Sequence, residues 1–377
     1  MVTKFVPLPD NDGGKQRALA VARRLAQAAD LVLCAYDDGG ADVAGLTALG
    51  IDVRSVPWRP TAARAARGVA RTRSLSAGRF YGADLAAEVR RGAAEGPLDL
   101  LQVEYLQMAP LAHGLGAGRR VLDLHNVESA LVRSYARAGR GPRGLLAHAE
   151  AVALGAMERA LIPSFDTVVV VSEQERHRLP AGARHVLVCP NGRDPDPLGP
   201  PPLAEEPVAA FVATLGWAPN VDAAVWFGRQ VWPEVRRRVP AARLLLVGRD
   251  PAPSVQGLAS DSVEVSGTVS DIRPYLARAR VAVAPLRAGG GTRLKILEAL
   301  DAGRPVIATS IAVDGLEDLI GEGVVVADDP GSMIEAVCGL LDDPDRAAAL
   351  GRAGHDAVAA RHTWDVALAP LLQAVAP

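Results

Sequence analysis

The chain has 377 residues, which is too long for one ordinary hydrophobic core, so two domains are expected. The hydrophobic fraction of 49% and the charged fraction of 22% are ordinary for a globular protein. The net charge of −2 excludes a strongly basic surface, so no nucleic-acid partner is expected.

The cysteines and the amino-terminal residues indicate the cellular compartment of the protein. Three scattered cysteines form no metal-binding or disulfide pattern and fit a reducing compartment. The first residues contain no signal-peptide core. The longest apolar stretch, residues 145–162, is interrupted by charged side chains and predicts no membrane span. A cytoplasmic protein is therefore expected.

Short apolar runs alternate with helical patterns along the first half and predict a parallel sheet. The predicted strands cover residues 4–8, 31–36, 53–56, 99–104, 121–124, 165–171 and 186–189. Gly13 and Gly14 precede a helix predicted over residues 15–29. A plain turn and a close approach to a phosphate or sugar explain this pair equally well. A G-x-G-x-x-G fingerprint is absent, which argues against a dehydrogenase.

Residues 59–83 carry six arginines and no acidic residue. These arginines are Arg59, Arg64, Arg67, Arg71, Arg73 and Arg79. The favoured interpretation is a mobile or surface helical segment with solvated charges. The alternative is a patch that meets an anionic acceptor or an anionic membrane surface, which would make the protein membrane-peripheral.

Two polar positions follow predicted strands in the first half. Glu104 and Tyr105 fall at the carboxyl end of strand 99–104, and His125 follows strand 121–124. In open α/β sheets that end faces the ligand. A structural cap and a functional role are equally probable for His125. One long helix is predicted from this junction to about residue 161, and Ser172 is a plausible helix cap.

A proline-rich segment, residues 193–207, predicts a stiff, poorly packed linker. The strand pattern then restarts at residues 208–213, 243–247, 263–265, 281–285, 305–308 and 324–327. Two such repeats predict two Rossmann-like domains that face a central cleft. The predicted boundaries are 1–195 and 205–360, with a final helix over residues 361–377 that crosses back to the first domain.

The stretch 288–299 follows the strand predicted at 281–285, and together they read as strand, three glycines and helix. The helix start offers unpaired N–H groups to an anion, and Arg293 and Lys295 add positive charge. Glu298, about one turn further on, can accept two hydroxyl hydrogen bonds, as from a ribose. A glycine turn with a solvated helix face is the alternative. Gly303 is expected to end this helix.

Five motifs in order resemble a bacterial glycosyltransferase of family 4, which has the GT-B fold, over nearly the whole chain. The motifs are Gly13-Gly14-Lys15, the segment LHNVES at 124–129, FVATLGWAPNVDA at 211–223, the later strands VG at 247–248, VSGTV at 265–269 and VAPL at 283–286, and the loop GGGTRLKILEAL at 289–300.

The resemblance implies transfer of a sugar from a nucleotide-sugar, with retention of configuration and without a cofactor or an essential metal. The donor expected first is a UDP-sugar, with a GDP-sugar as the second choice, and the acceptor is a small molecule, a glycan or a lipid-linked group. His125 would contact the donor sugar, and Glu104 and Glu128 are the candidate catalytic carboxylates. The implied donor-binding positions are Gly13, Gly14, Gly216, Val269, Gly290, Gly291, Thr292, Arg293, Leu294, Lys295 and Glu298.

The sequence departs from the family pattern at two points. Gly290 stands at the first Glu of the usual E-x7-E, and the usual Arg and Lys pair falls on Thr214 and Pro219. We expect Arg293 and Lys295 to meet the phosphates instead. These departures keep a GT-B sugar-nucleotide epimerase and a non-catalytic GT-B partner subunit open as alternatives. The acceptor, the base and the oligomeric state are not written in the sequence.

Overall fold

The computed structural model describes residues 1–138, 142–289 and 293–376. The chain divides into two compact units, one of Met1–Pro190 with Leu368–Pro377 and the other of Asn191–Ala367. The proline-rich segment 193–207 therefore lies inside the second unit, and the last residues of the chain lie in the first. No helix in the described ranges is long and apolar enough to cross a membrane.

The first unit contains one parallel sheet. Its strands are β1 Val2–Phe5, β2 Leu31–Asp37, β3 Ile51–Pro57, β4 Leu100–Glu104, β5 Arg119–Leu124, β6 Thr167–Val170 and β7 Val186–Val188. Their order is β3-β2-β1-β4-β5-β6-β7. The helices are α1 Gly13–Ala28, α2 Val43–Thr47, α3 Ala62–Thr72, α4 Leu75–Phe80, α5 Ala83–Ala94, α6 Ala109–Ala112, α7 Glu128–Ala138, α8 Pro142–Leu161 and α9 Glu173–Arg178. Two 3-10 helices cover Leu106–Met108 and Ile162–Ser164.

The second unit contains a smaller parallel sheet. Its strands are β8 Val208–Val212, β9 Arg243–Val247, β10 Val263–Val265, β11 Val281–Ala284, β12 Val306–Ala308 and β13 Val324–Val326, in the order β10-β9-β8-β11-β12-β13. The helices are α10 Ala218–Trp226, α11 Trp232–Arg238, α12 Pro253–Gln256, α13 Arg273–Arg278, α14 Leu294–Asp301, α15 Pro330–Asp342 and α16 Pro344–Arg361. The last helix, α17 Trp364–Val375, begins in this unit, and its residues from Leu368 on belong to the first unit. A π-helix at Phe227–Val231 joins α10 to α11, and a 3-10 helix covers Glu317–Leu319.

The burial of the central strands follows their apolar residues, although β5 also buries Asp123. In β11 all four residues are buried, and in β5 the last four are. A continuous apolar run is the pattern of a strand covered on both faces. All thirteen strands were predicted within a few residues, but the first was misplaced. It was expected at residues 4–8, and the structure ends it at Phe5.

Each sheet reverses its strand order once, between β1 and β4 in the first unit and between β8 and β11 in the second. Ligands of open α/β sheets bind outside the carboxyl ends of the strands at such a switch point. The loops that follow these four strands are therefore the first places to look for a site.

The structure bears on two predictions about helices, and it confirms that the arginine-rich segment is helical with most of its charges exposed. A helix was expected up to residue 161, and the structure has α7 up to Ala138 and α8 from Pro142 to Leu161. Residues 139–141 of this prediction lie outside the described residues. The arginine-rich segment forms α3 and α4, which cross at Gly68 and Gly78. A Cβ added to Gly68 would lie 1.9 Å from the Gly78 carbonyl oxygen, so only glycine permits this crossing.

The proline-rich segment is not the poorly packed linker that its composition predicted. Buried arginines hold its backbone to the second unit. Arg304, which is fully buried, donates to the carbonyl oxygens of Pro201 and Pro202 at 3.0 and 2.7 Å. Arg280 donates to the carbonyl of Ala204 at 3.2 Å. Because proline has no N–H group, a proline-rich segment forms few local backbone hydrogen bonds, and these guanidinium groups act as donors to its carbonyl oxygens.

Candidate functional site

The first cluster lies at the carboxyl ends of β4 and β5, where Glu104 pairs in register with Asp123. His125 follows β5, and its Nε2 lies 2.8 Å from Oε2 of Glu104. The other carboxylate oxygen of Glu104 accepts a hydrogen bond of 2.8 Å from Nε2 of Gln102. The structure thus brings together His125 and Glu104, two of the three predicted catalytic residues.

Burial controls the protonation of this cluster. Glu104 is fully buried, and burial raises the pKa of its carboxyl group to about 7, against the opposing effects of Gln102 and Arg17. Burial also lowers the pKa of His125 to about 3. His125 is therefore a neutral imidazole at physiological pH, and each of its nitrogens either donates or accepts a hydrogen bond.

Glu104, Asp123 and His125 place one ligand atom each within 4.8 Å of one another, which is close enough to share a metal ion. Asp123, however, is already neutralised by the buried Arg17, whose Nε lies 3.2 and 3.0 Å from its two carboxylate oxygens. A second cation beside this guanidinium would be repelled at short range in a low-dielectric interior. The donor set therefore fits a divalent ion poorly.

Tyr105 was not predicted as a site residue, although it follows Glu104 directly. Its φ of 70° and ψ of 139° are values that side-chain-bearing residues rarely adopt. Such backbone strain costs about 1–3 kcal/mol and concentrates at functional sites. The Tyr105 ring stacks on the His125 imidazole, with centroids 3.8 Å apart and planes tilted by 29°.

The predicted glycines of the first unit lie in the first turn of α1, not in a turn before it. Gly13 is the first residue of α1, and Asp12 caps the helix by accepting a hydrogen bond from the Lys15 N–H. A Cβ on Gly14 would lie 2.2 Å from the Tyr105 hydroxyl oxygen. The structure therefore explains why glycine occupies position 14, since any side chain there would clash with the Tyr105 hydroxyl group.

Two buried glutamates fix the segment after β5. Glu175 accepts a hydrogen bond of 2.5 Å from the Val127 N–H, and Glu158 accepts bonds from the N–H and the hydroxyl of Ser129 at 2.9 and 2.6 Å. Sequence reasoning missed both glutamates, although Glu158 interrupts an apolar helix. Glu128, the third predicted catalytic residue, is in the first turn of α7 and acts electrostatically on Lys4.

The second cluster lies at the start of α14. Gly290, Gly291 and Thr292, which were predicted to bind the donor, lie outside the described residues. The helix begins at Leu294, whose side chain is buried, so that only its backbone is available to a ligand. Arg293 precedes the helix and is buried. Its guanidinium lies against Gly289, where an added Cβ would be 2.6 Å from a guanidinium nitrogen.

Lys295 reaches back to the segment after β8. Its Nζ donates to Oδ1 of Asn220 at 2.7 Å, and Nδ2 of Asn220 donates to the Thr214 carbonyl at 2.9 Å. The ammonium lies 5.0 Å from the centroid of the Phe211 ring. Burial, helped by Arg293, lowers the pKa of Lys295 to about 7. Asn220 thus links the Lys295 ammonium to the backbone of Thr214, one of the two positions at which the family pattern has a cation.

The remaining predicted positions have mixed surroundings. Glu298 is half-buried on α14 and lies within electrostatic range of Arg193. A Cβ on Gly216 would lie 2.6 Å from the carbonyl oxygen of Asp250, so glycine is needed where the segments after β8 and β9 meet. Val269 packs on the small core of this unit. It also lines an open depression of about 530 Å³ with Thr268, Ser270, Asp271, Pro274, Tyr275 and Arg278.

Comparison with known proteins places these clusters in context. Residues 206–343 match the family described as Glycosyl transferases group 1. The chain is 30% identical over 238 residues to the GDP-mannose-dependent alpha-(1-6)-phosphatidylinositol monomannoside mannosyltransferase of Mycobacterium tuberculosis, a match that covers 55% of this chain and 60% of the relative. The protein of the same name from Mycolicibacterium smegmatis is 30% identical over 225 residues, covering 50% of this chain and 56% of the relative. The chain thus spans less than two thirds of these curated relatives.

Solved structures resemble the chain over almost its full length. Sucrose-phosphate synthase from Thermosynechococcus elongatus superposes with a TM-score of 0.73 at 19% identity, covering 99% of this chain and 96% of the other. WaaG, a glycosyltransferase involved in lipopolysaccharide biosynthesis, gives 0.68 at 15% identity, with 99% of both chains covered. Anabaena HepE in complex with UDP-glucose gives 0.67 at 16%, with 99% and 98% covered. These likenesses confirm the predicted fold class, two Rossmann-like domains of the GT-B kind.

Proposed function

We propose that the protein is a glycosyltransferase that moves a sugar from a nucleoside diphosphate sugar to an acceptor hydroxyl, with retention of configuration. The second unit holds the nucleoside diphosphate at the start of α14. The first unit supplies His125 and the groups that orient it. The leaving group is a diphosphate, so the main catalytic task is to stabilise developing negative charge.

The observation that carries the proposal is the half-buried Lys295, whose Nζ donates to Oδ1 of Asn220 at 2.7 Å within the segment that matches the glycosyltransferase family. An ammonium with a pKa near 7 has given up most of its hydration, and a diphosphate restores the opposite charge that it lacks. The first N–H groups of α14 add to this attraction, because no side chain caps that helix start. Together these groups can stabilise a departing diphosphate without a metal ion.

The donor sugar and its base are proposed from the relatives. The 30% identical proteins are named as GDP-mannose-dependent, which makes GDP-mannose the first donor to test, ahead of the UDP-sugar that the sequence alone favoured. The same relatives are named for a phosphatidylinositol mannoside acceptor, which places a lipid-linked polyol first among acceptors. Hexosyl transfer from either nucleotide fits the proposal.

Turnover with a panel of donors tests the function. We expect release of GDP or UDP from GDP-mannose or UDP-glucose to rise when a polyol or glycoside acceptor is added, measured by a coupled nucleotide assay. Conversion of the sugar nucleotide without any acceptor would point instead to an epimerase. Tight nucleotide binding without turnover across the panel would indicate a non-catalytic subunit.

We further propose that the α3–α4 region contacts an anionic membrane surface. Five of its six arginines are exposed and make no ion pair within the described chain: Arg59, Arg67, Arg71, Arg73 and Arg79. Arg64 is different, because it pairs with Asp84 at 2.9 Å and lies over the rings of Tyr36 and Trp58. Leu75, which is 48% exposed, lies in the same region. Exposed arginines beside an exposed apolar side chain suit an anionic lipid surface.

Replacing Arg71 by glutamine should weaken binding to vesicles that contain phosphatidylserine. Each basic side chain near such a surface contributes about 1 kcal/mol, so the partition coefficient should fall about fivefold. Sedimentation with sucrose-loaded vesicles at 0.1 M salt measures it. The matched control is Arg90→Gln, an exposed arginine on α5. Equal effects of the two variants, or no binding by the wild type, would refute a specific patch.

A further inference from the structure

Tyr105 occupies a place that neither the family motifs nor the proposed function explains. Its backbone has a positive φ of 70°, which glycine adopts freely and tyrosine does not. A large aromatic side chain at such a position indicates that the ring is needed there. The contacts of the ring show what it holds.

Three groups confine the Tyr105 ring. The His125 imidazole stacks on it at 3.8 Å between centroids, and the Lys4 ammonium lies 4.0 Å from the same centroid. Two groups this close to one centroid would overlap on the same face, so they lie on opposite faces. A cation over a tyrosine face is itself an attractive contact. At the hydroxyl end of the ring, only glycine fits at position 14.

The stacked imidazole is also fixed at one edge. Nε2 of His125 lies 2.8 Å from the Glu104 carboxylate, and Nδ1 makes no hydrogen bond within the described chain. Glu104 cannot turn away easily, because its other oxygen is held by Gln102. The protein therefore contacts one face and the Nε2 atom of the His125 imidazole, and Nδ1 remains available to a ligand.

We propose that Tyr105 is a positioning residue that locks the His125 ring with Nε2 toward Glu104 and leaves Nδ1 to meet a ligand hydroxyl. When Nε2–H donates to the carboxylate, Nδ1 of the neutral imidazole is a hydrogen-bond acceptor. A sugar or acceptor hydroxyl is the donor that suits it. Only this ligand assignment rests on the proposed glycosyl transfer, since the locked ring follows from the contacts of the first unit.

The charges around the His125 ring permit the tautomer that carries its proton on Nε2 at alkaline pH. The ionisable groups that face His125 or Glu104 are Asp123 from β5, Arg17 and the preceding Asp12 from the α1 region, and Lys4 and the Met1 amino group from the β1 region. Glu128 from α7 acts on Tyr105 and Lys4. At pH 8.5 the Glu104 carboxyl, with a pKa of about 7, is ionised and accepts the Nε2–H.

Nitrogen NMR of the full chain tests the locked ring without any substrate. With ¹⁵N-labelled histidine at pH 8.5, and His125 assigned by its loss in His125→Asn, we expect Nε2 to be protonated and Nδ1 to be bare. A protonated Nδ1, or averaged shifts that report exchange between the two tautomers, would overturn the proposal.

Variants of Tyr105 test the role of the ring. Tyr105→Phe keeps the stacked face and should keep the wild-type tautomer pattern. Tyr105→Gly suits the backbone but removes the ring, so the two nitrogens should give averaged shifts. Tyr105→Leu keeps apolar bulk without a planar face and should behave like the glycine variant, which preserves the test if glycine unfolds the protein. Wild-type shifts in both ring-less variants would overturn the role of Tyr105.

The consequence for activity is measured separately, with whichever donor the panel identifies. Misplacing a positioned group by about 1 Å costs up to a hundredfold in rate, so kcat of the ring-less variants should fall about ten- to a hundredfold. KM for the donor should change little, and Tyr105→Phe should restore the rate. If no donor is turned over but the NMR pattern is as expected, the proposed glycosyl transfer is refuted and the proposal that Tyr105 fixes the His125 ring is still supported. Normal rates in ring-less variants whose tautomer is averaged would refute the ligand role of Nδ1.

Discussion

Replacing Lys295 by alanine is expected to weaken the binding of GDP or UDP roughly ten- to a hundredfold while leaving the free nucleoside unaffected. A hydrogen bond to a charged group contributes about 1.5–3 kcal/mol, and the diphosphate is the only part of the ligand that the ammonium would meet. Titration calorimetry with nucleoside, monophosphate and diphosphate measures the difference. The control is Arg237→Ala, which removes an exposed cation from α11 of the same unit.

The same lysine predicts a pH dependence. Burial lowers the pKa of Lys295 to about 7, so its charge is lost as the pH rises through that value. The terminal phosphate is already ionised above pH 7, since its second pKa is about 6. Diphosphate affinity should therefore fall about tenfold between pH 7 and pH 9 in the wild type. In Lys295→Ala the affinity should be flat over this range, and an unchanged slope would contradict the assignment.

Glu298 provides the complementary test of the same stretch. If its carboxylate holds the ribose, Glu298→Gln keeps the size, removes the charge and should weaken nucleoside and diphosphate alike, roughly ten- to a hundredfold. Lys295→Ala should weaken only the diphosphate. If both variants bind diphosphate normally, the start of α14 is a solvated helix face and not the nucleotide site.

The sequence predicted the strands better than the contacts between them. The bounds of β9 and β10 were predicted without error, and β9 was recognisable because a strand buried on both faces needs continuous apolar residues. Gly303 was also predicted correctly as the end of α14, and its φ of 70° is the left-handed conformation that ends helices.

Side-chain pairings were much harder to foresee. Lys295 and Asn220 are 75 positions apart, and their contact depends on the β8–β11 pairing, which no local pattern reports. No pattern in the sequence singled out Arg280 or Arg304, whose guanidinium groups donate to the carbonyls of the proline-rich segment. Tyr105 has no sequence signature either, because a positive φ in tyrosine reflects its tertiary contacts and not a local preference.

His125 should matter for turnover far more than for nucleotide binding. We expect His125→Ala to lower kcat about a hundredfold or more, within the range for a positioned hydrogen-bonding group, and to change the dissociation constant for GDP or UDP by less than about twofold. The reason is the division of residues between the units, since Lys295 and Glu298 belong to the second unit and His125 to the first.

Between pH 8 and pH 9, where the Glu104 carboxylate is ionised, the loss should also not change with pH. Burial lowers the pKa of His125 to about 3, so the imidazole stays neutral over this range and its removal deletes a hydrogen-bonding group, not a charge. The control is His177→Ala, an exposed histidine on α9 whose Nδ1 bonds to the Glu173 carbonyl of its own helix. Initial rates and calorimetry on both variants give the comparison. Equal losses of rate and affinity in His125→Ala, together with a lowered melting temperature, would show that His125 is a structural cap at the end of β5.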